Sequence, residues 1–450
     1  MEASTRTFAL GDRPPLVHAS VVGVQHLLAV FGGIVTAPLL IALGMQLPAE
    51  QTAYLISSAL FVSGVATLLQ VSRIGPVGSG LLSIQGTSFT FVGPLIYVFG
   101  LYAPLRGADV ALGIVFTACL VCALIIAALS PFLKQLKKIL TNNVSAAIVL
   151  LLGITLVWTT IGNIGREIVA TTATGAPAWQ AWMLSAGVIG VILLMAFSKR
   201  PLFRMASVVA GLIAGAVAAA ALGWLSTPDT GNIPAVFFPT LGRYAFNFEW
   251  AAVLILLPVF LVSATESIGD LTATGNLSGI STVDASFFKR LRGGILADAI
   301  NSAVAALLAT FPNTTFSQNN GVIRLTGVSS RRVGRVVAVL LILLGATPVV
   351  AAWVQALPGL VIASATLLMF AMVAVSGVQI ARAANPTARD WMVIGVSVSA
   401  GLLATTPMAT EILARAPEPL ANFFGFPVSS GAFFAIVLDA VLPHRQAEGI

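Results

Sequence analysis

Residues 311–327 read FPNTTFSQNNGVIRLTG. Asn, Gln, Thr and Ser crowd together here in a chain that is otherwise 58% hydrophobic and only 9% charged. A second stretch of the same character, GSGLLSIQGTSFTFVGP, fills 78–94. Gly86 lies 70 residues after Leu16, and Asn319 lies 70 residues after Glu249, so the two interruptions hold corresponding places in two halves of the chain. Unpaired backbone at membrane depth survives only where protein or a polar cavity covers it. Two interrupted segments in register are the sequence mark of a midplane binding site, whereas a single one would read as a packing kink. Each break also offers helix N-terminal N–H groups to an anionic or acceptor-rich ligand.

The background against which these segments stand out is that of an integral membrane protein. The chain has 450 residues and a mean hydropathy of +0.98. Soluble domains carry about 25% charged residues, and the fraction here cannot cover a water-facing surface. Disorder is excluded by the same numbers. A disulfide scaffold is excluded because Cys119 and Cys122 are the only cysteines.

A bilayer-crossing helix needs roughly 20 apolar residues. That ruler yields fourteen segments, at 16–41, 52–71, 80–101, 109–130, 142–162, 178–198, 203–225, 249–274, 292–312, 314–327, 332–353, 358–380, 391–409 and 428–443. The first is long, contains His26 and lacks a small-residue cleavage site, so no signal peptide is expected. With the N-terminus in the cytoplasm, 19 of the 23 Lys and Arg fall on the inner side, against Arg106, Arg166, Arg243 and Arg415 outside. This asymmetry obeys the positive-inside rule and places both termini in the cytoplasm. It also accounts for the net charge of +7 without a nucleic-acid partner. The polar interval 226–248 divides the chain into seven spans and seven spans. An odd number per half inverts the second half relative to the first, which is the inverted-repeat plan of secondary transporters. The repeats are expected at 1–225 and 245–450.

Most of the sixteen acidic residues sit in loops or at span ends. Glu266 and Asp270 in ATESIGDLTATG, and Asp298 in GGILADAINSA, do not. An ionised carboxylate at the bilayer centre costs about 2.5–3.5 kcal/mol or more, so such groups face a protein interior or a wet cavity. Glu266 and Asp270 share one helix face, where like charges disfavour double ionisation. A carboxyl that gains a proton on one side and gives it up on the other is the chemistry of proton coupling. His26, in VVGVQHLLAVFGG, reads as a hydrogen-bonding residue aimed at a neighbouring core helix. Asp439 reads as lying near the cytoplasmic interface.

Other patterns carry less. CLVC (119–122) has CxxC spacing but no companion ligands, so no metal site is expected. GPVGSG (75–80) resembles a phosphate loop in letters only, without a βαβ context. GLIAG (211–215) reads as helix packing, and PFLKQLKKIL (131–140) as an interfacial connector. With three histidines and two cysteines, no Ser–His–Asp set or metal cluster appears, which argues against a membrane enzyme and any bound cofactor.

QNNGVIRLTG (318–327) resembles the signature of the nucleobase–ascorbate transporters, Gln/Glu/Pro–Asn–x–Gly–x4–Thr–Gly/Arg/Lys. GVQHLLAVFGG (23–33), SATESIGDLTATG (263–275) and GGILADAINS (293–302) are also similar to that family, and the likeness spans almost the whole chain. It implies an all-α, fourteen-span fold of two inverted repeats. Spans 1–4 and 8–11 (about 16–130 and 249–353) would form a core domain. Spans 5–7 and 12–14 (about 142–225 and 358–443) would form a gate domain. Transport would be an elevator-like or rocking movement of core against gate, usually in a homodimer. By position, Glu266 would bond the ring N–H and exocyclic groups of a base, and Gln318 the opposite edge. Backbone around Ser88, Phe89 and Ser317 would complete the site, with the Phe89 ring stacked on the base. Asp298 and Asp270, with Glu266, would govern proton coupling. His26, Asn319, Gly321 and Thr326 would support the site.

These roles fit the chemistry of a purine, a flat π-face with an edge of alternating donors and acceptors. Gln318 at the head of the signature resembles the xanthine and urate branch, where uracil carriers tend to have Glu. Ser88 stands where that branch shows Asn or Thr, which leaves xanthine and urate both open. The expectation is thus a proton-driven importer of xanthine or uric acid in a bacterial inner membrane. Its rivals are a uracil or other nucleobase symporter and, less well supported, an anion exchanger of the same fold. An anion site needs no buried acid facing its ligand, so Glu266 argues against the last.

Overall fold

The computed structural model describes residues 7–132, 141–226, 236–383 and 385–442. Most of the connector at 131–140 and part of the 226–248 interval lie outside the described residues. In chain order the helices are α1 (Leu16–Gly44), α2 (Ala49–Ser72), α3 (Val92–Arg106), α4 (Ala108–Leu129), α5 (Asn142–Ala173), α6 (Ala178–Ala196), the short α7 (Pro201–Met205) and α8 (Ser207–Ala221). After the polar interval come α9 (Trp250–Leu277), α10 (Ala285–Leu307), α11 (Gln318–Thr326), α12 (Arg331–Gly345), α13 (Val349–Gln355), α14 (Gly359–Ala383), α15 (Ala388–Leu403), α16 (Pro407–Leu413), α17 (Glu418–Gly425) and α18 (Pro427–Val441). Among the described residues, eight helices are long and apolar enough to cross a membrane, or ten if each of two bent pairs is one span. Hydrocarbon offers no partner to an unpaired peptide group, and a helix satisfies its own. The chain is a multi-pass helical membrane protein.

Two apolar stretches that read as single spans are bent. α12 and α13 meet at 74°, and α15 and α16 at 78°. Pro348 and Pro407 stand at the breaks. A proline lacks the N–H its helix would need and pushes the preceding residue out of the helical region. The stretch expected at 292–312 is also only partly helical, because α10 ends at Leu307 and Ala309 takes a φ of +52°.

Small residues set the tightest helix contacts. Gly64 of α2 faces the backbone of Ala338 and Ile342 in α12, and Gly345 faces Phe61. Gly153 of α5 meets Ala374 of α14, and Gly377 meets Leu150. Gly211 and Gly215 let α8 lie against Ile192 and Val361. Without a Cβ the backbones approach closely, which is how helices associate where lipid is as apolar as leucine. Cys119 and Cys122 are buried free thiols, the second facing the Val253 carbonyl at 3.6 Å.

Both interrupted segments are extended before they are helical. β1 (Gln85–Thr87) leads through a 3-10 turn at Phe89–Phe91 into α3, and β2 (Asn313–Thr315) leads into α11. The strands pair antiparallel, with Gln85 opposite Thr315, Gly86 opposite Thr314 and Thr87 opposite Asn313. Every residue of both is buried. Each strand thereby satisfies the other's backbone inside the protein. Equal spacing from Leu16 and Glu249 set Gly86 against Asn319, whereas the strand register sets it against Thr314. The loop before β1 (73–84) is longer than the loop before β2 (308–312), which shifts the count.

Candidate functional site

The pairing of β1 with β2 brings two helix starts together, and α9 runs beside both. The Thr90 hydroxyl donates to Glu266 Oε2 at 3.2 Å, tying α9 to the first segment. One turn further on, the Thr315 hydroxyl donates to Asp270 Oδ2 at 3.1 Å and lies 3.3 Å from Ser267 Oγ, tying α9 to the second. Ser267 and Thr314 share a hydrogen bond of 2.9 Å between hydroxyls. Asn320, in the first turn of α11, donates to the Asp270 carbonyl at 3.3 Å and accepts from the Thr274 hydroxyl at 2.6 Å. Glu266 and Asp270 are half-buried, and Gly269 between them is exposed, so this face of α9 borders open space.

Gln318 and Ser317 are exposed at the start of α11, and among the described residues the Gln318 side chain has no hydrogen-bond partner. Its donor and acceptor are therefore free for a ligand. Ser88 is buried and caps the turn before α3, its hydroxyl accepting from the Thr90 N–H at 3.2 Å. Phe89 is half-buried and packs edge-on against Phe370 of α14, with ring centroids 5.5 Å apart. Phe370 also lines a cavity of about 1880 Å³, which runs between α1 and α3 on one side and α5 and α14 on the other. Phe89 itself is not part of the cavity wall and reaches it through Phe370.

Asp298 sits apart from this surface. It is buried in α10, accepts from Gln70 Nε2 of α2 at 3.2 Å, and is flanked by Ser267 and Gln85. Gln70 also accepts from the Ser79 N–H at 3.1 Å. One amide thus joins Asp298 to the loop that leads into β1. His26 is wholly buried in α1 beside Asn319, and among the described residues neither of its ring nitrogens meets a hydrogen-bond partner. Asn319 in turn donates to the Leu82 carbonyl at 2.5 Å. Gly321 lies on the exposed face of α11, and the Thr326 hydroxyl caps the Val322 carbonyl at 2.9 Å.

Thr90, Thr315, Gln70, Ser267 and Asn320 were not singled out in the sequence. Gln70 carried a signal, as an amide deep in an apolar span. The hydroxyls carried none, since Ser and Thr are tolerated anywhere in a membrane helix. Asp439 is more than an interfacial residue. It is buried, pairs with Arg389 at 2.9 Å, and accepts from Thr141 and Asn143.

Two interrupted segments that meet inside a helical membrane body are the arrangement of secondary transporters. The chain belongs to the nucleobase–ascorbate transporter family, whose profile, described as a permease family, matches residues 17–410. Among its relatives is the xanthine permease XanP of Escherichia coli (strain K12). It is 39% identical over 445 residues, which cover 98% of this chain and 95% of the relative. The xanthine permease XanQ of the same strain is 35% identical, over 98% and 94%. The uric acid-xanthine permease of Emericella nidulans is 31% identical, over 98% and 84%. The fold is shared with solved structures of low identity. The transmembrane domain of the cyanobacterial bicarbonate transporter BicA has a TM-score of 0.59 at 13% identity, covering 96% of this chain and 99% of that one. SLC26A9 gives a TM-score of 0.63 at 13% identity, over 94% and 65%.

Proposed function

We propose that this protein imports purine nucleobases, xanthine or uric acid, across the cytoplasmic membrane in symport with protons. Its apolar segments form fourteen spans in two inverted repeats, with both termini in the cytoplasm. α1–α4 and α9–α13 act as the core and the remaining helices as the gate, and two copies assemble as a homodimer. One observation carries the reading: a single helix, α9, bears two acids and is hydrogen-bonded to both interrupted segments, beside a free carboxamide at Gln318. The purine lies on the Phe89 ring. Glu266 accepts from its ring N–H, Gln318 bonds the opposite edge, and backbone at Ser88 and Ser317 closes the site. Asp298 and Asp270 carry the proton linkage. Relatives named for xanthine and uric acid, at 31–39% identity over nearly the whole chain, support the substrate class. The likeness to anion carriers is at the level of the fold.

The test is uptake of labelled xanthine into proteoliposomes under an imposed pH gradient, competed with urate, hypoxanthine, guanine, uracil and ascorbate. Xanthine and urate should compete strongly, and uptake should collapse with the gradient. Dominant competition by uracil would overturn the purine assignment. Uptake that persists without a gradient and in Glu266→Gln would favour an anion-type carrier. Asp298→Asn keeps an acceptor for Gln70, so it should fold, lose gradient-driven accumulation, and retain xanthine exchange.

A further inference from the structure

The loop from Arg73 to Gly80 follows the end of α2 and leads toward β1. Arg73, Gly75, Gly78 and Gly80 all have positive φ. The Gly78 N–H donates to the Gly293 carbonyl of α10 at 2.8 Å, and a side chain on Gly293 would collide with the Pro76 and Gly78 carbonyls. The loop is therefore fixed to α10 by glycines that admit no Cβ. Three arginines gather on it. Arg290 Nη1 and Arg331 Nη2 both come within 3.2 Å of the point where a Cβ on Gly80 would stand, and so does Arg73 Cβ. Arg290 donates to the Ser79 carbonyl at 3.0 Å. Arg331 is half-buried, its Nε is shut off from solvent, and no acceptor among the described residues meets that N–H.

Among the described residues, no carboxylate forms an ion pair with any of the three. The charges acting on Arg290 are those of Arg73 and Arg331, and those acting on Arg331 are Arg73 and Arg335. Elsewhere in the molecule arginines do find acids, as Arg106 does in Glu249 and Arg389 in Asp390 and Asp439. Converging guanidinium groups repel unless an anion lies between them, and their planar forks match phosphate oxygens. We propose that Arg73, Arg290 and Arg331 form a binding site for a phosphate-bearing anion on the rigid 73–80 loop. On the orientation given above the site faces the cytoplasmic leaflet. The anion is then either the headgroup of an acidic lipid or a soluble phosphate, and both share this recognition chemistry.

The full-length protein, purified in uncharged detergent, is titrated with phosphatidylglycerol, with phosphatidylcholine and with inorganic phosphate while thermal unfolding is followed. A saturable rise in Tm with phosphatidylglycerol but not phosphatidylcholine assigns a lipid headgroup, and a rise with inorganic phosphate alone assigns a soluble ligand. The rise should vanish in Arg73→Gln/Arg331→Gln and survive in Arg415→Gln, an exposed arginine elsewhere. Should the double variant not fold, Arg73→Gln alone must weaken apparent affinity at least about fivefold, the loss of one charge-assisted contact. No rise with either phosphate source, or an equal response in the variants, overturns the site.

Discussion

Counted from the starts of their strands, Ser88, Phe89, Thr90 and Phe91 of the first segment correspond to Phe316, Ser317, Gln318 and Asn319 of the second. Aromatic and polar residues exchange places between them. In the first, Phe89 turns outward to Phe370 while Thr90 turns inward to Glu266. In the second, Phe316 turns inward against Gly33 and Gly86, leaving Ser317 and Gln318 exposed. Two segments of like backbone thus offer a ring on one side and a carboxamide on the other. A planar ligand between them would be read by its face on one segment and by its edge on the other, so it could bind in only one orientation.

The most severe way to break the comparison is at the residue where the segments cross. A Cβ on Gly86 would stand 2.6 Å from Ile34 and 2.7 Å from Phe316. Valine adds two more carbons, beyond the usual overpacking cost of about 1–3 kcal/mol. Gly86→Val should abolish folded protein, seen as loss of the monodisperse peak on size-exclusion chromatography. Glu266→Gln comes next. It keeps the shape but replaces the carboxylate acceptor, and xanthine affinity should fall by about 150-fold with Tm little changed, since hydrogen bonds to charged groups contribute up to about 3 kcal/mol. Gln318→Ala should cost about a hundredfold, the value of two amide contacts. The exposed Gln318 side chain bonds nothing among the described residues, so folding should be untouched. An unchanged xanthine Kd in Gln318→Ala, measured by calorimetry, would remove the second segment from the site.

A gentler cut separates direct from indirect roles. Thr90→Val removes the hydroxyl that holds Glu266 while preserving volume. Xanthine affinity should weaken by about five- to tenfold, as one positioning hydrogen bond is lost. Restoring the hydroxyl with Thr90→Ser should recover most of it. A Thr90→Val effect as large as that of Glu266→Gln would mean that Thr90 itself touches the ligand.

Much of this site was legible because membranes make polar residues conspicuous. Glu266, Asp270 and Asp298 stood out against apolar spans, and two clusters of Gly, Asn, Gln and Thr announced where helices would fail. The strand pairing was not legible. Strands of three residues show no alternation, and Gln85–Thr87 and Asn313–Thr315 owe their geometry to each other across the fold. Nor could spacing say that Thr90 serves Glu266 while Thr315 serves Asp270. Those partners meet only when helices from both halves pack. The bends at Pro348 and Pro407 were legible in principle, each proline following a threonine inside an apolar run, but length alone favoured unbroken spans.

The smallest expected effect lies one turn beyond the breaks, where Gly93 of α3 corresponds to Gly321 of α11. A Cβ on Gly93 would meet only Leu156 of α5, at 3.9 Å, and one on Gly321 would meet nothing within 4 Å. Alanine is favoured over glycine in a helix by about 0.5–1 kcal/mol. On packing alone, both substitutions should raise Tm by roughly one or two degrees. They should part company in transport. Gly93 borders the cavity facing α5, where the empty space already accepts a methyl group. Gly321 lies on the exposed face that Gln318 begins, and a base on Gln318, or the gate closing over it, would cover that face. Gly321→Ala should therefore keep xanthine affinity within about twofold and slow turnover more than Gly93→Ala does, a difference that rests on free space, not on lost hydrogen bonds. Equal turnover in the two variants would mean that nothing approaches α11 during the cycle, and the face beside Gln318 would be an open wall and not a closing surface.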